Sequence, residues 1–296
     1  MLKRLAGFLP GRRYGRKVTL SRSKAGTLAI AFFLCLVSLF MVLPVVYSLI
    51  QSLKPLEEIF AYPPRFFVRR PTLMNFKMLF RLADNLEIPF SRYFFNTVSV
   101  SLVGTVVYVF LSSMAAFSMA KGNFKGKKFL FSLVVFAIMF EGDVLQMPRY
   151  LIVSTLGMVD TYWALVVPFL GGTLGVFLMR QFILAAIPDS TLEAARIDGA
   201  GEFTIFFKIV MPSIKAAWLT VSIFAFQGFY RSGGIEYIYS ENLKQLDAVL
   251  ASISAGGIGR AGAASAAGVI AIVLPVLVFL FTQSSINETM AHSGLK

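Results

Sequence analysis

The chain has 296 residues, of which 57% are hydrophobic and only 15% charged, and its mean hydropathy is +0.74. A soluble domain covers its surface with about a quarter charged residues, and a disordered chain is poor in apolar ones, so both classes are excluded and a bilayer is the expected solvent. Lys and Arg number 28 against 15 Asp and Glu, a formal charge of +13 that would suggest nucleic acid in a soluble protein; in a membrane protein its meaning depends on where the charges lie.

Residues 1–24 form a basic tail with eight Lys and Arg and no acid. The run from Ala25 to Ile50 then carries no charge over 26 residues. It is too long for a signal-peptide core and is followed by no cleavage site, so a retained anchor is expected. A membrane helix needs about 20 apolar residues. On that measure the spans fall at 25–50, 94–120, 129–150, 161–184, 212–230 and 261–287. The expected fold is all-α, a polytopic membrane protein with one six-helix domain over residues 25–287 and a short tail, 288–296. The third span is interrupted by Glu141 and Asp143.

Six spans put both termini on one side, and short basic segments choose the cytoplasmic one. The N-terminal tail is such a segment, and so is the loop with Lys121, Lys125, Lys127 and Lys128, which holds no acid. Residues 51–92 carry seven basic against four acidic residues, but this segment is long and contains Pro63, Pro64, Pro71 and Pro89. It reads as a folded outer loop, where charge bias weighs less. The charge surplus therefore orients the chain against anionic lipid, and no nucleic acid is expected.

Cys35 is the single cysteine and His292 the single histidine. They supply no disulfide framework, no Cys-based metal site and no histidine set among catalytic partners. No catalytic residue and no metal are expected. Gly257 to Gly262 spells GxGxxG but follows no strand, and Gly122 to Lys128 is one residue short of a phosphate loop. Gly171 and Gly175 make a GxxxG, for which close helix packing is the ordinary explanation.

The most informative segment is the polar interval from Ile187 to Pro212. Ser190-Thr191-Leu192-Glu193 fits a capping box opening a short helix. Gly199 stands where a left-handed residue can end it. Phe203, Phe206, Phe207 and Val210 then recur at helical spacing, predicting one apolar face that Pro212 terminates. Two short cytoplasmic helices joined at a glycine elbow are expected.

Glu193-Ala194-Ala195, followed at fixed spacing by Gly199, Ile209 and Met211-Pro212, resembles the EAA signature of the membrane subunits of binding-protein-dependent ABC importers, with Met211 where that family usually has Leu. Asn96-Thr97-Val98, the segment Lys121 to Lys127, Leu156 to Leu165, Phe177 to Phe182 and the ending Gly294-Leu295-Lys296 are similar to the carbohydrate-uptake, maltose-permease-like branch. The resemblance implies that residues 189–208 are the coupling segment that docks on an ATPase subunit. Its contact residues would be Glu193, Ala194, Ala195, Asp198, Gly199, Phe203, Phe206, Ile209 and Pro212. For Glu193 the local alternative is an acceptor that completes the helix cap, and both can hold. The resemblance further implies a second permease subunit as a heterodimeric partner, two ATPase subunits that use ATP and Mg, an extracytoplasmic binding protein and a carbohydrate substrate. The chain itself would bind no cofactor.

Acids inside a membrane segment mark by default a pathway or a water-filled cavity. Glu141, Asp143, Gln146 and Arg149 are therefore candidates for the translocation path, with the outer headgroup layer as the alternative placement. The loop from Arg231 to Arg260 corresponds to the one the family uses to meet its binding protein. Arg231, Tyr237 and Tyr239 are its candidate contacts.

Overall fold

A computed structural model describes residues 23–84, 88–140, 144–231 and 236–293; among them helices joined by turns and loops are the regular structure, with no strand. Hydrocarbon explains this composition of structure, because every backbone N–H and C=O must be bonded and a helix does so within one segment. By internal contacts the chain divides into residues 1–47 and 48–296. The first unit holds most of α1, Lys24–Ser52, whose Leu28, Phe32 and Phe40 are exposed. A helix that is apolar all round suits lipid or a partner helix.

In the second unit, α2 (Leu56–Ile59) and α3 (Met74–Asp84) belong to the loop expected to be folded, and it is. The Lys54 ammonium donates to the Arg65 carbonyl at 2.5 Å, and the Asn75 amide donates to the carbonyls of Ser52 and Lys54 at 2.8 and 2.7 Å. Glu58 accepts the amides of Arg69 and Arg70, the Arg69 bond first among the causes that hold its carboxyl below the usual range.

Next comes α4, Phe90–Lys121, unbroken over 32 residues and free of proline. The third expected span, 129–150, is not one helix. It divides into α5 (Lys127–Ile138) and α6 (Gln146–Thr155), and α5 with 12 residues rises only about 18 Å. Residues 141–143, including the two interrupting acids, lie outside the described residues.

The fourth span is α7 (Tyr162–Leu170) and α8 (Thr173–Ala186), bent by 43° at Gly171-Gly172. Then follow α9 (Asp189–Ile197), α10 (Glu202–Ile205), a π-helical stretch Phe206–Val210, α11 (Met211–Ser213) and α12 (Lys215–Arg231). An 82° bend separates the run ending at Ser213 from α12. After a 3-10 turn at Glu241–Leu243 come α13 (Leu246–Ser254) and α14 (Ala261–Ser293).

Among the described residues three helices are long and apolar enough to cross a membrane alone, Ala25–Ser52, Phe90–Lys121 and Ala261–Gln283, and up to five spans result if each bent pair counts as one. Helix α4 is the central element, packed chiefly against α8 and α12. One core joins these helices through Val100, Met179, Ile183, Phe206, Val210 and Phe229. A second joins α3, α13 and α14 through Leu79, Leu250, Ile253, Ala263 and Ala267.

Candidate functional site

The helix-glycine-helix segment forms at the Lys121 end of α4, but its start differs from expectation. Helix α9 begins at Asp189 with Pro188 as the preceding residue, and no side chain caps it. The capping box is therefore not used: Ser190 already lies in the first turn, where its hydroxyl cannot reach the orphan amides from outside. Asp189 carries the charge that complements this helix terminus, and Lys121 binds it at 2.7 Å. The Lys121 ammonium holds the Asp189 carboxyl below its ordinary range.

The end of α9 is as expected. Gly199 has φ +82°, its amide donates to the Arg196 carbonyl at 3.0 Å, and the Ala200 amide donates to the Ala195 carbonyl at 2.9 Å. These two bonds are the Schellman pair that satisfies the last carbonyls of a helix. Arg196 Nε then meets Glu202 Oε1 at 2.8 Å across the elbow, and that carboxylate pushes the Arg196 pKa up.

The second half departs from the predicted apolar face. Phe206 and Val210 are buried, while Phe203 is 68% exposed and Phe207 turns outward to stack on Phe110 at 6.1 Å. Phe203 stands in α10, ahead of the π stretch, and within that stretch Phe206 and Val210 face inward while Phe207 does not. The helical run ends at Ser213, one residue after Pro212, and the chain breaks at Ile214 ahead of the 82° bend.

Glu193, Ala194 and Asp198 are exposed, Ala195 and Ile209 half-buried. Sequence reasoning missed Ile197, which is 85% exposed at the tip of α9. Nothing in its sequence position, two residues before Gly199, signalled that exposure. A cavity of about 520 Å³ opens between this elbow and the end of α4, lined by Phe117, Lys121, Phe124, Arg196, Glu202 and Phe203. Lys127, discounted above as a phosphate ligand, is used internally. Its ammonium donates to the carbonyls of Ala120 and Gly122 at 2.8 and 3.0 Å and so caps α4.

At the opposite end of α4 the two other candidate sets meet. Glu141 and Asp143 lie outside the described residues. The Gln146 amide, however, donates to Glu236, and Tyr150 stacks on Tyr237 at 6.3 Å with its hydroxyl 3.2 Å from that of Tyr239. Arg149 lies over the Phe169 ring, 5.5 Å from its centre. Tyr237 is a buried packing residue and cannot offer its face outward, in contrast to the expectation, whereas Tyr239 is exposed and can. Arg231 ends α12 and is exposed.

Asp160 organises this loop and carried no role in the sequence reading. At φ +59° it accepts the amides of Tyr239 and Ser240 at 3.0 and 2.8 Å and the Ser240 hydroxyl, while its own amide donates to the Tyr237 carbonyl at 2.8 Å. The Ser240 hydroxyl, then its amide, hold the Asp160 carboxyl below the usual range. A lowered carboxylate pKa contributes stability above the unfolded value near ~3.9 and loses it as pH falls through the folded one. Asp160→Ala is expected to remove hydrogen-exchange protection from the Tyr239 and Ser240 amides at neutral pH, an effect the wild type should show only as pH falls through the lowered pKa of this carboxyl. Unchanged protection in the variant would contradict the anchoring role.

Among the described residues no group of three His, Cys, Asp or Glu could hold a metal. The site offers no described catalytic constellation; what it presents is two structured surfaces at opposite ends of one helix.

No protein-family model matches the chain. It is 28% identical over 271 residues to the arabinooligosaccharides transport system permease protein AraQ of Bacillus subtilis, covering 91% of this chain and 95% of that protein. It is 33% identical to the polygalacturonan/rhamnogalacturonan transport system permease protein YtcP of the same organism, over 65% of this chain and 64% of the relative. It is 30% identical to the inner membrane ABC transporter permease protein YcjP of Escherichia coli, over 68% and 72%. Its fold is similar to a chain of a bacterial ABC transporter involved in the import of the acidic polysaccharide alginate, with a TM-score of 0.73, 19% identity, and 89% and 98% of the two chains covered.

Proposed function

The chain belongs to the permease subunits of ABC transport systems, and on that premise we propose that it forms half of the membrane pathway of a bacterial importer for a sugar or oligosaccharide. The observation that carries this reading is the elbow at Gly199, a Schellman-terminated helix presenting Glu193, Ile197 and Phe203 to solvent at one end of the bundle.

In this reading residues 189–208 are the coupling segment. Glu193 offers a charge to a basic residue of the ATPase, and Ile197 and Phe203 enter an apolar part of its cleft. Exposed ion pairs contribute little, about 0–1 kcal/mol, so the apolar pair supplies most of the docking energy. Two ATPase subunits bind ATP and Mg; the chain itself is not an enzyme and binds no cofactor. A second, different permease completes the pathway, and an extracytoplasmic binding protein delivers substrate to the surface built from Tyr239, Tyr150 and Arg231.

The chain spans the bacterial inner membrane six times with both termini in the cytoplasm, where the basic residues 1–24 and the exposed Lys125 and Lys128 meet anionic lipid. Residues 25–287 form the transmembrane domain, with α5 and α6 as a broken third span, and 288–296 is a cytoplasmic tail. Glu141, Asp143, Gln146 and Arg149 border the path at its outer end. Transport follows from the difference in substrate affinity between outward-open and inward-open arrangements, exchanged as the ATPases close and open.

A narrower reading takes the substrate as a uronate oligosaccharide. Arg149 forms no ion pair among the described residues, and two of the similar proteins carry acidic polymers in their names. The experiment is the ATPase activity of the co-purified complex in nanodiscs, with and without binding protein, using neutral arabino-oligosaccharides and digalacturonate. Stimulation of several-fold by binding protein with sugar is expected. No stimulation by any sugar, with stimulation by a non-sugar solute, would sink the carbohydrate assignment, and stimulation by neutral sugars alone would remove the narrower reading.

A further inference from the structure

In the second unit, among the described residues, α4 stands apart as a long helix without a break or a proline. The neighbouring crossings are interrupted, between α5 and α6, at the 43° bend of α7 and α8, and at the 82° bend before α12, and α14 contains Pro275. Helix α4 is about 48 Å long, enough to reach from one face of a bilayer to the other.

Both of its ends are tied to the surfaces described above. At one end the Asn96 amide donates to the carbonyls of Asn242 and Lys244 at 2.8 and 3.0 Å, and the Asn96 carbonyl oxygen accepts the Tyr162 hydroxyl at 2.9 Å. Thr97 accepts the Leu246 amide at 2.7 Å. Asn96 and Thr97 are fully buried, so these bonds are shielded from water. The same loop, two residues earlier, is anchored by Asp160 at Ser240.

At the other end Lys121 pairs with Asp189, the first residue of α9, with the lysine side chain 7% exposed and the aspartate 78%. The pair bridges the carboxyl end of one helix and the amino end of another, so each charge also meets the favourable pole of its own helix. Between the two ends, Gly104 lets Phe229 lie directly on the helix; a Cβ there would stand 2.7 Å from the ring. The helix is thus clamped along its length and tied at each end to one of the two surfaces.

We propose that α4 is the strut through which the outer loop 241–246 and the coupling segment sense each other, with Asn96 and Lys121 as the positioning residues at its two ends. A push on the loop moves α4 through the Asn96 bonds, and the Lys121–Asp189 pair passes that displacement to the start of α9. This rests on the reading of the chain as an importer permease, and the readout separates the two. Wild-type stimulation by binding protein tests the permease reading; the variants test the strut.

The experiment compares Lys121→Met, Asn96→Ala, the double variant, and the charge-reversed pair Lys121→Glu with Asp189→Lys, each as the full complex in nanodiscs. The readout is the ratio of binding-protein-stimulated to basal ATPase activity. Lys121→Met is expected to leave basal activity and assembly unchanged and to lower the ratio about fivefold or more, the usual scale of a coupling between sites. Asn96→Ala is expected to lower it similarly.

Because the two act in series, the double variant should be no worse than either single change. Independent sites this far apart would instead multiply their effects. Charge reversal should restore the ratio toward the wild type. An unchanged ratio in Lys121→Met or multiplication in the double variant each overturns the proposal. Lys121→Gln replaces Lys121→Met should the latter not assemble.

Discussion

Replacing Gly199 by proline is expected to lower uptake by about two orders of magnitude or more, equivalent to about 3 kcal/mol, with the permease still inserted in the membrane. At φ +82° the backbone is in the left-handed region, whereas the proline ring fixes φ near ~−65°. The substitution also removes the amide that donates to the Arg196 carbonyl and with it the pairing of Ala200 on Ala195. Both bonds of the Schellman turn are lost, so α9 unwinds from its C-terminal end. Ile197 and Phe203 then no longer hold a fixed separation.

No atom lies within 4 Å of a Cβ built on Gly199, so the effect comes from conformation alone and not from crowding. A graded series follows. Asparagine tolerates the left-handed region and is expected to be near wild type, alanine to lose about 1–2 kcal/mol, and proline to fail. Uptake of labelled sugar by cells expressing each variant, normalised to permease in the membrane, reads the series. Proline with wild-type uptake would refute the coupling assignment, and alanine falling as far as proline would point to a hidden steric contact instead.

What could be read in advance was what depends on neighbours in the chain. The uncharged runs at 25–50, 94–120 and 261–287 became Lys24–Ser52, Phe90–Lys121 and Ala261–Ser293, because length and lack of charge are local properties. Gly199 was legible for the same reason, standing one turn beyond a short amphipathic stretch.

What was not legible depends on distant residues. The start of α9 is set by Lys121, 68 positions away, so the nearby Ser190 and Glu193 looked like a cap they do not form. Asp160 binds a loop 80 positions away, and a single aspartate in Val159-Asp160-Thr161 gives no hint of that beyond its tolerance of positive φ. Phe207 faces outward and stacks on Phe110 of α4, a partner that no local periodicity announces. Tyr237 and Tyr239 are two residues apart and indistinguishable in sequence, yet one is stacked beneath Tyr150 and the other is on the surface.

The break in the fourth span shows the same dependence and carries the second large effect. GxxxG at Gly171 and Gly175 suggested close packing of two helices, but a Cβ on Gly171 would meet nothing within 4 Å. The residues that need to be small are Gly172 and Gly175, where a Cβ would stand 2.9 and 2.7 Å from Tyr108. The tyrosine hydroxyl fills the gap between α7 and α8. It donates to the Gly172 carbonyl at 2.9 Å and accepts the Gly175 amide at 3.0 Å, replacing backbone bonds that the bend removes. In hydrocarbon those two groups have no water to turn to.

Gly175→Val is therefore expected to destabilise the permease by about 1–3 kcal/mol through overpacking, and more where the displaced hydroxyl also strands its two partners. Tyr108→Phe keeps the ring and removes only the hydroxyl. It isolates the second contribution, about 1–3 kcal/mol for the stranded groups. Thermal unfolding of purified complexes in detergent measures both, and Gly171→Ala serves as the control that should unfold as the wild type does. If Tyr108→Phe unfolds with the wild type while Gly175→Val does not, the glycine acts by volume alone and the bend is held by packing rather than by the hydroxyl. If both fall and Gly171→Ala does not, one side chain of α4 holds the bend in the fourth span.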